Sequence, residues 1–175
     1  MKRVFYHVLL LLSRAVRIFG ARVFSDRIFK LALEFKGVQF VGNPNYIDYN
    51  TYLDPIGGLI LGNNVVISTN VIILTHDYSY TAGLISILKR PVTDIATVSS
   101  VTVGSDCFIG AGAVILPGSK IGSNVIVGAG SVVKGDIQSN SIVAGNPAKK
   151  IHATDEWARS NESKFEHLLL IIDKK

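Results

Sequence analysis

The sequence predicts an all-β solenoid of short stacked strands, with helices at both ends. Three observations predict it. From Val103 the chain falls into six-residue units, VGSDCF, IGAGAV, ILPGSK, IGSNVI, VGAGSV and VKGDIQ, and an earlier set, LGNNVV, ISTNVI and IL, opens at Leu61. Each unit begins with Val, Ile or Leu, at Leu61, Ile67, Ile73, Val103, Ile109, Ile115, Ile121, Val127 and Val133. Glycine takes the second place at Gly62, Gly104, Gly110, Gly122 and Gly128, and the fifth stays small or modest, from Val65 and Val71 through Cys107, Ala113 and Ser119 to Val125 and Ser131.

A period of six fits neither the α-helix nor a simple hairpin. It fits short strands that turn a corner after each unit. The large aliphatic then points inward, and Gly or Asn near the corner adopts a backbone conformation closed to bulky residues. Stacked coils bury a continuous aliphatic column. A β-sandwich would also use Val and Ile, but its turn signals recur every 8–12 residues or so.

Three segments follow in order. Lys2-Arg3 and the apolar run from Val4 to Leu12 look at first like a signal peptide, but no small-x-small cleavage pattern follows. Arg14, Arg17, Arg22, Arg27 and Lys30 continue the basic pattern instead. The apolar run is also well short of the ~20 residues of a spanning helix. Residues 1–38 therefore read as one or two basic amphipathic helices. They pack on the coils or, over residues 1–35, touch an anionic membrane surface as a peripheral contact. Residues 39–152 are the solenoid. Val41, Ile47 and Leu53 hold the spacing upstream, and the phase slips by two at Gly57-Gly58, where a corner bulges. The pattern lapses over residues 77–97, which read as a loop thrown out of the coil, and such loops are usually functional. Residues 153–175 read as a terminal helix with Trp157, Phe165, Leu168, Leu169 and Ile172 apolar.

Composition narrows the function classes. A chain of 175 residues suffices for one domain with a core. Apolar residues at 48% against 18% charged exclude a disordered chain. The single Cys107 rules out an internal disulfide framework and a Cys-type metal site. It fits a reducing compartment, so a cytoplasmic location is expected, peripheral at the inner face of the membrane if the N-terminal helices dock there. The net charge of +5 points to an anionic ligand or surface. The glycine-rich aliphatic repeat does not fit a nucleic-acid module, whereas a phosphate-bearing cofactor would use the same charge.

The stretches LILGNNVVISTNVIILTHDYSY and VTVGSDCFIGAGAVILPGSKIGSNVIVGAGSVVKGDIQSNSIVAGNPAKKI resemble the hexapeptide-repeat O-acetyltransferases of maltose, galactosides, nodulation factors and polysaccharides, the last group most of all. The likeness covers about residues 41–152, and the closing AGNPAK is among its most specific parts. It implies a left-handed parallel β-helix, a homotrimer with sites in the clefts between subunits, acetyl-CoA as co-substrate, a sugar or polysaccharide acceptor, and no metal.

Acyl transfer from a thioester to a hydroxyl needs a base, donors for the developing oxyanion, and positioning of both substrates. Of four His residues, at 7, 76, 152 and 167, His76 alone lies within the repeat, where VIILTHD meets the loop. A lone His is more often structural, but the Thr75-His76-Asp77 junction resembles the family's catalytic segment and implies the general base. Tyr78 stands where relatives often carry a second His. Asp48, Asn50 and Asp54, in IDYNTYLDPIGG, match a segment that contacts the acceptor and base in relatives; the alternative is that they are corner residues. Phe108, Ala111 and Ala129 match the wall along which the family lays the pantetheine arm, though the two alanines equally suit coil packing. Lys134 and Lys149 match positions near the nucleotide phosphates. Lys134 is displaced by one place from the family pattern, and Lys150 rivals Lys149.

Three further readings remain. An N-acetyltransferase of an amino sugar nucleotide would use the same base and coenzyme. A β-helical carbonic anhydrase would need three protein ligands for zinc, and the repeat holds one His. A non-enzymatic scaffold leaves the Thr-His-Asp junction unexplained.

Overall fold

In a computed structural model, which describes residues 2–89, 91 and 94–165, the six-residue units wind into about five coils of a left-handed parallel β-helix. Two helices come first, α1 (Lys2–Ile18) and α2 (Arg22–Lys36). Coil one runs through β1 (Val38–Phe40), β2 (Tyr46–Ile47) and β3 (Tyr52–Leu53), and coil two through β4 (Leu59–Leu61), β5 (Val66–Ile67) and β6 (Ile72–Ile73). An insertion follows, made of β7 (His76–Asp77), α3 (Ser79–Leu88) and β8 (Thr97–Val98). Coil three is β9 (Val101–Val103), β10 (Phe108–Ile109) and β11 (Val114–Ile115), and coil four is β12 (Lys120–Ile121), β13 (Val125–Val127) and β14 (Val132–Val133). Strands β15 (Asp136–Ile137) and β16 (Ser141–Gly145) begin the fifth, β17 (Ala148–His152) turns back antiparallel along β16, and α4 (Thr154–Ser160) follows.

Parallel pairing stacks the coils into three faces. The first holds β1, β4, β9, β12 and β15, the second β2, β5, β10, β13 and β16, and the third β3, β6, β11 and β14. All nine leading aliphatics are at most 3% exposed, and the fifth-place residues from Val65 to Ser131 at most 2%. The column is therefore dry from Leu53 to Val133, and the repeat reads directly as the core.

Two places in the unit call for unusual backbone, for different reasons. The fourth place turns the corner in the left-handed region, with Asn64, Asn70, Asp106 and Asn124 at φ of 56 to 58°. Asn and Asp tolerate that conformation better than other non-glycine residues. The second-place glycines are not left-handed. They are needed because neighbouring coils touch backbone to backbone. A Cβ on Gly104 would lie 2.6 Å from the carbonyl carbon of Gly122. Gly104→Ala should therefore destabilise the fold by about 1–3 kcal/mol through overpacking, read as a lowered midpoint in chemical denaturation; an unchanged midpoint would contradict the stacking.

Several expectations are refined. Val41 does not point inward: it is 67% exposed, and Phe40 stands opposite Leu61. The cause is local, since Gly37 ends α2 in the left-handed conformation and starts β1 one residue out of the expected phase. The two-residue slip is present, with Ile47 opposite Ile67 and Leu53 opposite Ile73. A second slip was not foreseen. Ile137 meets Ile121, so the unit that opens at Val133 closes two residues short. Residues 77–97 are not a plain loop: an antiparallel pair, His76 with Val98 and Asp77 with Thr97, forms the neck of the insertion, and α3 forms its body. Its apolar residues Leu84 to Leu88 lack the six-residue period and so gave no solenoid signal. Of the terminal helix, α4 and a short turn up to Phe165 are described, with the Trp157 and Phe165 rings 5.7 Å apart. Leu168, Leu169 and Ile172 lie outside the described residues.

Candidate active site

The site grows from strand alternation at the end of the third face. After buried Ile73 the chain keeps its alternation, so Thr75 turns inward with no exposure and His76 turns to the rim, 21% exposed. One coil earlier, Leu53 pairs with Ile73, which brings Asp54 beside the Thr75-His76 step.

Asp54 is 1% exposed and fully engaged. Its Oδ1 accepts the Ile56 N–H at 3.0 Å. Its Oδ2 accepts the Thr75 N–H at 2.9 Å, the Thr75 hydroxyl at 2.7 Å, and His76 Nδ1–H at 2.6 Å. Thr75 Oγ1 in turn accepts the Gly57 N–H at 2.8 Å, so the bulged corner of coil one is tied to the same hydroxyl. Burial on its own would raise the Asp54 pKa. The donors from Ile56, Thr75 and His76 outweigh it and bring the carboxyl down to about 2.

A carboxylate held ionised against Nδ1 fixes the imidazole. In the neutral ring this contact keeps the proton on Nδ1 and leaves the lone pair on Nε2, which faces away from Asp54. Tyr78 sets its ring edge-on to the imidazole, with centroids 5.5 Å apart. Asp77 accepts both the N–H (2.8 Å) and the hydroxyl (2.9 Å) of Ser79, turning the chain into α3 directly after His76. Lys36, at the end of α2, donates to the Leu53 carbonyl at 2.7 Å. Burial lowers its pKa, while the nearby Asp54 charge works the other way.

Of the two contacts expected of its segment, Asp54 makes the one to His76. It has no free face for an acceptor. It holds the base. The sequence carried the signal, because restoring the two-residue slip aligns Leu53 with Ile73 and sets Asp54 one coil above the His76 segment. Thr75 reads from the sequence only as part of the Thr75-His76-Asp77 junction, with no role of its own, and Lys36 was missed because it reads as part of a helix.

The remaining candidates divide between two edges of the prism. Asp48 and Asn50 follow β2, at the corner between the second and third faces, whereas Asp54 and His76 lie between the third and first. Asp48 accepts Tyr46 Oη–H and the Asn50 N–H, both at 2.9 Å, which is the pattern of a corner residue. Ala111 and Ala129 lie on that same second-to-third edge, stacked through Gly130 N–H to Ala111 O at 2.8 Å. Phe108 opens β10 on the second face, 42% exposed. Lys134 follows β14 onto the His76 edge, near enough for its charge to favour the Asp77 carboxylate. Lys149 is exposed on β17, opposite Ala144. Within one chain, then, Ala111 and Ala129 stand on a different edge from His76.

The model of the bacterial transferase hexapeptide (six repeats) matches residues 100–135. Protein CapG of Staphylococcus aureus is 37% identical over 134 residues, 75% of this chain and 72% of that one. The chain belongs to the hexapeptide-repeat acetyltransferase family. Solved structures of that family share the architecture. A maltose O-acetyltransferase from Clostridium difficile superposes with a TM-score of 0.54 at 28% identity, over 73% of this chain and 75% of that one. AntD, an N-acyltransferase from Bacillus cereus in complex with dTDP and 3-hydroxybutyryl-CoA, gives 0.56 at 25% identity, over 75% and 71%.

Proposed function

We propose that this hexapeptide-repeat acetyltransferase moves an acetyl group from acetyl-CoA to a sugar hydroxyl of a bacterial surface polysaccharide or its precursor, with His76 as general base. The observation that carries the reading is the 2.6 Å contact between His76 Nδ1 and the buried carboxylate of Asp54. A sugar hydroxyl does not ionise near neutral pH, so its proton must leave as the new bond forms. Nε2 of His76 takes that proton while the hydroxyl oxygen attacks the thioester carbonyl. It then returns the proton to the departing thiolate, and Asp54 steadies the imidazolium between the two transfers. Tyr78 borders the base and is the acceptor contact on this edge.

Phe108, Ala111 and Ala129 supply the apolar wall for the pantetheine arm, and exposed Lys134 and Lys149 the cations for the nucleotide phosphates. Because the wall and the base occupy separate edges of one chain, the complete site needs a second copy beside the first. That supports the homotrimer implied by the repeat resemblance. In that assembly Asp48 and Asn50 of one copy would face the base of the next. The enzyme works in the cytoplasm, and residues 1–35 meet the inner face of the membrane.

The likeness to AntD favours one second reading, transfer to an amino group of a sugar nucleotide. Thiol release from acetyl-CoA, measured with a panel of sugars, oligosaccharides and amino sugar nucleotides, separates the two. Product stable to dilute acid but lost in mild alkali is an ester and is expected. Alkali-stable amide product would overturn O-transfer.

A further inference from the structure

We propose that the α1–α2 hairpin seats the enzyme on an anionic lipid surface, and that the acceptor is a saccharide carried on a lipid in that surface. The second half rests on the acetyltransferase reading. The first half stands on the hairpin itself.

Charge is distributed very unevenly along the chain. Residues 1–36 hold eight of the 18 Lys and Arg but two of the 13 Asp and Glu, and α1 contains no acidic residue. The remainder of the chain is close to neutral, so the hairpin accounts for the whole positive excess. Two rows of apolar side chains run along the open side of α1. Val4, Leu11 and Ile18 form one, 66 to 83% exposed, and Phe5, Leu12 and Phe19 the other, 46 to 88% exposed. Residues seven apart on a helix lie nearly in line, so each row is a continuous stripe. The Phe5 ring meets Phe35 of α2 edge-on at 4.7 Å, which extends the patch onto Phe24 and Leu31, 61% and 42% exposed. An exposed apolar stripe on a basic hairpin is the signature of a helix lying in a lipid interface. No described helix is long and apolar enough to cross a membrane, which fits a contact in the surface plane.

Charge also decides between occupants. Two such faces set against each other would bring the same positive sign together, a repulsion that grows as water is excluded and disfavours a dimer through this face. Anionic headgroups attract it, at roughly 1 kcal/mol per basic residue near the surface.

The hairpin lies against the edge that carries the base. Lys36, in the last turn of α2, hydrogen-bonds to Leu53, the residue before Asp54. On the other side of the base, α3 starts three residues after His76 and has no buried side chain. It exposes Ile85, Ile87 and Leu88, at 42, 75 and 44%. A free sugar gives no cause for apolar surface on both sides of a polar site. A sugar whose anchor stays in the lipid does.

The test uses the full chain and its Leu11→Glu/Phe19→Glu variant, both changes being at exposed positions remote from the base. The wild type should co-sediment with phosphatidylcholine–phosphatidylglycerol vesicles, less so at high salt, and the variant should bind at least about tenfold more weakly. Acetyl transfer in those vesicles should be at least about tenfold faster to octadecyl glycosides of glucose, galactose and N-acetylglucosamine than to the methyl glycosides in solution, and the variant should lose that advantage. A wild type that ignores the vesicles, or a variant that binds them normally but sediments as a smaller oligomer, would overturn the docking and assign the face to subunit contact. Thiol release no faster with the octadecyl series would overturn the lipid-carried acceptor. Absence of acetyl-CoA binding in calorimetry would instead sink the acetyltransferase reading, and vesicle binding would persist regardless.

Discussion

His76→Ala should lower kcat by about 10²–10⁴ while acetyl-CoA binding stays near the wild-type value. The size follows from the role. A general base acts only as the proton moves, so its loss falls on the transition state and leaves coenzyme contacts untouched. The fold should survive, because the ring lies at the rim and the strand around it is held by backbone bonds to Val98 and by Thr75. The decisive comparison is steady-state turnover beside calorimetric acetyl-CoA affinity. Turnover within a few-fold of the wild type would remove His76 from the mechanism, and loss of coenzyme binding in parallel would mark it as a binding residue.

Asp54→Asn should be nearly as damaging, although the residue meets no substrate. Two oxygens now receive four donors, three of them at Oδ2. An amide supplies one oxygen and one NH₂ group. With the oxygen turned toward Thr75 and His76, the NH₂ confronts the Ile56 N–H. Turned the other way, it confronts His76 and frees Nδ1 to accept instead, which places the proton on Nε2 and disables the base. We expect kcat to fall by up to about 10⁴, as a wrong tautomer does in the unrelated Ser-His-Asp triad of serine proteases, and stability to fall by roughly 1–3 kcal/mol for the stranded donor. The acid limb follows from the same carboxylate. Its folded pKa of about 2 lies below its ordinary value of 3.8. Its contribution is therefore whole above pH ~4 and is lost as pH falls toward 2. Denaturation midpoints across that window, compared between wild type and Asp54→Asn, test the linkage: only the wild type should show this part of the acid destabilisation.

The coils were legible because one rule governs each unit: an aliphatic inward, a fixed slot for glycine, and a corner at the fourth place. The rule identified the core residue by residue and placed His76 at the point where it lapses. It failed at Val41 and after Val133, where a helix cap and a shortened corner reset the phase. The site was less legible. Asp54 and His76 are far apart in sequence, and their meeting depends on a register that two extra residues at Gly57-Gly58 had displaced. Asp54 alone reads as one more acidic corner residue. Its burial, and the hydroxyl of Thr75 that helps hold it, are properties of stacked coils and not of any single unit. The body of the insertion escaped for the opposite reason: α3, with Gly83 and its Ser, Thr and Ile residues, has weak helical composition and packs no side chain into the core, so nothing tied it to the surrounding pattern.

The ladders close directly across the gap left by the insertion. β4 pairs with β9 and β6 with β11, in the same register as the coils that have nothing between them. Whatever emerges between Asp77 and Val98 hangs from a two-rung neck. Beyond Ser79 its length and sequence can thus vary while the pairing that carries His76 and the carboxylate of Asp54 stays in place. On the proposed mechanism this is a graft point: a new acceptor would come from rewriting that one segment, with the prism and the Asp54–His76 pair kept as a fixed chassis.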